Sequence, residues 1–174
     1  MTDCDTPRGR VAIGHEREIA ERAALAWASD VTMTGEGEST DVAPVDALYA
    51  RNGRLQAVAE IKWRGESLDL AALQRLGSYL ITYRKLRHGR VAGRLLHVPY
   101  LLIVGLADAD VWWTISGADG TWREQPRVEA TVTQQTINGG SIRRRNAYLS
   151  LDRMQMRMRG ASSPVGITAA NITW

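Results

Sequence analysis

The chain predicts one α/β domain, and three observations predict it. An Asn52-Gly53 pair separates two short apolar runs, the strongest local signal for a β-hairpin. An alanine- and leucine-rich stretch over residues 14–28 places Ile19, Ala23, Ala26 and Trp27 in an apolar stripe at helical spacing. A second helical pattern, residues 68–86, leads into the most apolar run of the chain, 95–106. With 174 residues, 44% of them hydrophobic and 24% charged, there is room for one domain with a real core.

The first element is the helix 14–28, headed by Gly14. Val31-Thr32-Met33-Thr34 forms a short strand, and residues 35–40 form a polar loop. Its Glu36 and Glu38, with Asp41 beyond them, read as a solvated turn rather than as ligands. Strands 45–50 and 55–63 then pair across the Asn-Gly turn. Period-two alternation sets Val58, Glu60 and Lys62 on one face and Ala57, Ala59, Ile61 and Trp63 on the other. Asp46 opens the paired strand at the same end of the sheet, so its carboxylate can converge with that of Glu60 on a hard cation. Two carboxylates, a strand carbonyl and waters suit Mg²⁺.

Lys62 sharpens this reading. Only Lys62 and Lys85 are lysines, against twenty arginines, so arginine is the default cation of the chain and a lysine on an apolar strand needs a special reason. A compact ammonium beside carboxylates can hold a water, which the planar guanidinium does poorly.

Pro44-Val45-Asp46 followed by Glu60-Ile61-Lys62 resembles the PD-(D/E)xK nuclease superfamily, over the first three-fifths of the chain; here Pro and Asp are not adjacent. The resemblance implies a restriction-endonuclease-like core of helix, three-stranded hairpin sheet, helix and strand, occupying residues 14–106. It implies a Mg²⁺-dependent deoxyribonuclease, with Mn²⁺ able to substitute. Asp46 and Glu60 would hold the metal, the Ile61 carbonyl would add a ligand, and Lys62 would position the attacking water or stabilise charge on the phosphorus centre. Members of the superfamily often carry Gly-x-x-x-Glu on the leading helix. Gly14 and Glu18 match it, so Glu18 is expected to reach the metal through water, with Glu21 as rival. Gln74 and Tyr79 resemble the Gln-x-x-x-Tyr helix of the RecB-like branch, with one residue too many between them. That leaves the RecB-like and Holliday-junction-resolvase branches unresolved.

The second helix ends in Arg84, Lys85, Arg87 and Arg90, with Arg94 beyond and Gly89 as its stop. These cations serve either the helix dipole or DNA phosphates, and Gln74 is either an exposed helix residue or a DNA contact. Strand 111–115 follows, Asp108 and Asp110 serve its turn, and His97 is read as a core imidazole. Beyond residue 106 lies a β-rich, basic extension over 107–159 containing Arg143-Arg144-Arg145. Its last stretch, 149–159, alternates as one half-buried strand. A loose tail, 160–174, closes the single domain.

Residues 1–69 hold thirteen acids and eight bases, whereas 70–174 hold six acids and fourteen bases. A metal-binding acidic half beside a cationic half suits a phosphodiesterase acting on DNA, with RNA not excluded. A lone Cys4 rules out an internal disulfide and a cysteine-built metal site. No membrane span or signal peptide stands out, so a soluble cytoplasmic protein is expected. The alternative function is a non-catalytic nucleic-acid-binding module on the same fold. Cleavage mode and homodimer formation stay open.

Overall fold

The computed structural model describes residues 7–35, 43–65, 67–134 and 141–159. Cys4, the loop acids Glu36, Glu38 and Asp41, and the tail 160–174 lie outside the described residues. The elements are α1 (Pro7–Ala26), β1 (Asp30–Met33), β2 (Ala47–Arg51), β3 (Arg54–Trp63), α2 (Leu70–Leu76), β4 (Ser78–Thr82), α3 (Tyr83–Leu95), β5 (Tyr100–Gly105), β6 (Ala109–Ser116), β7 (Arg127–Gln134), β8 (Ser141–Ser150) and β9 (Gln155–Met158).

The central sheet runs β1-β2-β3-β5-β6-β9, and a second sheet runs β4-β8-β7. Within the central sheet β3 and β5 are parallel, joined through α2, β4 and α3, while the other neighbours are antiparallel. The hairpin forms where the sequence predicts it: Asn52 and Gly53 take φ of 51° and 72°, the double positive φ that a two-residue hairpin turn demands. The predicted faces of β3 also hold. Ala57, Ala59 and Ile61 pack with Leu101 and Ile103 beneath Ile19, Ala20 and Ala24 of α1 and Trp27 just beyond it. Val58, Leu102 and Val104 pack on the opposite side with Leu86 of α3 and Tyr79, Ile81, Ala147 and Leu149 of the second sheet.

The structure corrects several expectations. The leading helix starts at Pro7, a favoured residue in a first turn because its missing N–H has no partner there anyway; Gly14 is therefore an interior residue. The helix expected over 68–86 is two helices with a strand between them. Asp69 caps α2 by accepting from the Ala72 N–H at 2.6 Å, and Gly77, with φ 70°, ends it by donating its N–H to the Gln74 carbonyl. The chain then turns extended, burying Tyr79 and Ile81 and exposing Leu80, as Ser78–Thr82 pairs with β8. The expected strand 149–159 is likewise divided. A Ser150–Asp152 hydrogen bond of 2.8 Å and a Met154 N–H to Leu151 carbonyl bond turn the chain from β8 in one sheet to β9 in the other. Asp110 belongs to β6 rather than to a turn. It receives both Nε and Nη2 of Arg22 at 2.7 and 2.9 Å and Nη2 of Arg159 at 3.2 Å, tying α1 to the far edge of the sheet.

Gly89 does not stop a helix. It is buried midway along α3, where an added Cβ would stand 2.1 Å from Cζ of Tyr100, and Leu95, the first residue of the apolar run 95–106, closes that helix. The glycine lets α3 lie flat on the start of β5. Gly89→Ala should therefore force helix and ring apart and cost about 1–3 kcal/mol, the usual penalty for overpacking. A denaturation midpoint equal to the parent's would show that the ring yields without cost.

Candidate active site

Asp46 stands just before β2 and is fixed on both sides: its N–H donates to the Ala59 carbonyl at 2.8 Å, and its carbonyl accepts from Thr34 N at 2.9 Å. Its carboxylate Oδ2 accepts the Ile61 N–H at 2.9 Å. This ties the acid to the strand that carries the next two site residues. Glu60 is fully buried. Lys62, two residues on, projects to the same face and is 20% exposed at its side chain.

These groups meet around one atom. Lys62 Nζ lies 2.5 Å from the Ile61 carbonyl, 2.9 Å from Glu60 Oε1, 3.2 Å from Asp46 Oδ2 and 3.4 Å from Glu16 Oε1. Burial works against this ammonium, but the charges of Glu60, Asp46 and Glu16 outweigh it and hold Lys62 above its ordinary pKa. Burial raises the Glu16 carboxyl in turn, against the pull of Lys62.

The acid of α1 that the structure brings to this cluster is Glu16, while Glu18, expected there, stands apart from it. Glu18 is largely exposed and pairs with His15 Nδ1 at 3.5 Å; Glu21 is exposed as well. The physical reason is phase. The face of α1 turned to the sheet bears Ile19, Ala20 and Ala24, and the residue four on from Gly14 does not lie on it. Glu16 precedes Ile19 and Ala20 by three and four residues, which is the spacing that could have identified it. His15 stacks on Trp63 at 4.1 Å and so pins this part of α1 to the end of β3.

Lys85, expected on a DNA-facing surface, turns inward from α3. Its Nζ lies 3.1 Å from Glu60 Oε1 and 3.4 Å from Oε2. Glu60 Oε1 therefore has two ammonium groups within ionic range, yet neither approach is aligned as a hydrogen bond. The Tyr100 hydroxyl is also buried, with no hydrogen-bond partner among the described residues. Burial, then the charges of Glu60 and Asp46, push that phenol well above its ordinary range.

The remaining expected residues spread over a wider surface. Gln74 is exposed on α2 and Tyr79 is buried on β4 against Trp113, so they do not share a helix face. Arg84 and Arg87 are exposed on α3. Arg90 donates to the Gly120 carbonyl at 2.8 Å and lies over the Trp122 ring. On β8, Arg143 is exposed, Arg144 is partly buried and Arg145 lies 4.8 Å over Tyr83. Tyr83 and Trp122 stack at 6.5 Å, completing a row from Arg145 to Arg90 that the sequence does not reveal.

Among the described residues, no three Asp, Glu, His or Cys side chains already close on a metal position. The carboxylates converge instead on an ammonium. The donor set still fits a hard divalent cation: Asp46, Glu60 and Glu16 supply carboxylate oxygen, Ile61 supplies a carbonyl, and the buried Glu60 Oε1 lacks an aligned hydrogen bond.

No helix among the described residues is long and apolar enough to cross a membrane. No curated protein and no solved structure matches the chain. The family described as "Phage putative PDDEXK endonuclease" matches residues 14–125. That span takes in Glu16, Asp46, Glu60, Lys62 and Lys85 and ends before β7. Its mixed α/β layout, with a hairpin carrying the Asp and Glu-x-Lys residues, is of the PDDEXK type. With well over half of its length matched, the chain belongs to this PDDEXK endonuclease family.

Proposed function

We propose that the chain hydrolyses phosphodiester bonds in DNA with a divalent cation, Mg²⁺ first and Mn²⁺ in its place. The observation that carries this reading is the convergence of four oxygens, from Glu16, Asp46, Glu60 and Ile61, on Lys62 Nζ. Asp46, Glu60 and the Ile61 carbonyl would hold the cation, with Glu16 contributing through water. When bound, it would polarise the scissile phosphate and make a coordinated water more acidic. The chain's own part is positioning. The Ile61 N–H keeps the Asp46 carboxylate aimed, burial fixes Glu60, and Lys62 offers N–H donors to the attacking water and to the charge that develops on phosphate oxygens. Arg84 and Arg87 on α3, with Arg143, Arg144 and Arg145 on β8, would hold the phosphate backbone.

The test is incubation with circular single-stranded, linear duplex and branched DNA, and with single-stranded RNA, with and without Mg²⁺ or Mn²⁺. Metal-dependent cleavage of DNA is expected. Retarded DNA that stays uncut with either metal would favour the binding module.

The two helix acids give a separate check. Glu16→Gln should lower cleavage by about 10–100-fold, the usual loss when an outer metal contact is removed. Glu18→Gln should cut at nearly the parental rate. A parental rate for Glu16→Gln would show that the 3.4 Å Glu16–Lys62 contact has no bearing on the reaction.

A further inference from the structure

The chain has two lysines among its twenty-two Lys and Arg residues, and both ammonium groups reach the same carboxylate oxygen, Glu60 Oε1, at 2.9 and 3.1 Å. They come from different elements, β3 and α3. Every other cation of α3 is an arginine: Arg84, Arg87, Arg90 and Arg94. Position 85 precedes the buried Leu86 and lies four residues before the buried Gly89, so its side chain starts toward the sheet. A compact ammonium fits beside a buried carboxylate there.

Neutralising Glu60 does not explain Lys85, since Lys62 already stands beside that oxygen. The charge of the whole cluster does. Glu16, Asp46 and Glu60 oppose Lys62 and Lys85, leaving one formal negative charge. A divalent cation turns this into one positive charge, the complement of one phosphodiester; without Lys85 the loaded site would be neutral.

We propose that Lys85 is a positioning residue that acts through Glu60, weakening the site's hold on metal in order to keep it positive for the scissile phosphate. This rests on the nuclease reading given above. The two consequences have opposite signs, which separates this role from that of a bridge between α3 and β3. A bridge would lose stability, metal binding and turnover together.

The experiment compares the full chain with Lys85→Gln and Lys85→Arg. Mn²⁺ affinity is measured by calorimetry without DNA, turnover is measured at saturating metal, and thermal melting is recorded for each. Lys85→Gln should bind Mn²⁺ about threefold or more tighter, since a repelling charge close to the cation is gone. Its turnover should fall about tenfold or more, through loss of charge that stabilises the transition state. Lys85→Arg should keep the parental Mn²⁺ affinity and recover part of the turnover. Unchanged or weaker Mn²⁺ binding in Lys85→Gln, unchanged turnover, or failure of that variant to fold would each overturn the proposal. A parent that cuts no nucleic acid removes the nuclease reading and this inference with it. A parent that cuts normally beside an unaltered Lys85→Gln removes the role of Lys85 alone.

Discussion

Lys62→Ala should lower cleavage by about 10²-fold or more, the scale of losing one positioned electrostatic or acid-base group, while DNA binding and folding persist. The expectation follows from where the ammonium sits. Its four oxygen neighbours come from α1, the approach to β2, and β3 itself, so Lys62 is the point through which the acidic groups are organised. Removing it relieves competition for a cation and should not reduce metal affinity. Loss of turnover with metal binding intact would therefore place the defect in chemistry. Lys62→Arg should not restore the rate. The guanidinium keeps the charge, but it is planar and bulkier than the pocket beside Ile61 O, where Nζ approaches to 2.5 Å. Lys85 remains beside Glu60 in both variants, so the buried carboxylate keeps one counter-charge and the fold should hold. Parental turnover by Lys62→Ala at saturating Mg²⁺ would falsify the mechanism.

What the sequence made legible was local. The Asn52-Gly53 turn encodes its own geometry, and once it is placed, period-two alternation carries Glu60 and Lys62 to one face and brings Asp46 beside them. No distant information is needed. The segment 68–86 behaves differently, because the partner of Ser78–Thr82 is Asn146–Ser150, far along the chain. Its apolar spacing satisfies a helix, and only pairing with β8 selects the extended form. Gly89 illustrates a second kind of ambiguity. Near the end of a helical pattern, a glycine that stops the helix and a glycine that admits a ring look alike until Tyr100 is known to lie beneath it. Lys85 was hidden for the same reason, since the inward side of α3 is defined by what β3 and β5 present to it. Glu16 was obscured because a motif spacing was followed in place of the helix phase. Four residues on from Gly14 gives Glu18, whereas the stripe of Ile19, Ala20 and Ala24 that faces the sheet places Glu16 beside Lys62. The row Arg145, Tyr83, Trp122 and Arg90 joins three distant segments, and no local pattern marks it.

Asp46→Asn should reduce cleavage at low Mg²⁺ by about 10²-fold or more, and for a different reason from Lys62→Ala. The substitution is nearly isosteric. The amide oxygen can still accept the Ile61 N–H now held at 2.9 Å, and the backbone bonds to Thr34 and Ala59 are untouched, so the strand geometry should survive. What disappears is one anionic charge from a set of three carboxylates that already faces two ammonium groups. The formal charge of the cluster then becomes neutral, and a divalent cation has little left to attract it. The loss should appear first as weaker Mn²⁺ binding in calorimetry without DNA, and part of the cleavage should return as Mg²⁺ or Mn²⁺ is raised. None should return to Lys62→Ala under the same titration, because that variant lacks a donor rather than a ligand. If Asp46→Asn binds Mn²⁺ as tightly as the parent, Asp46 serves the fold of the β2–β3 hairpin through Ile61 and is not a metal ligand.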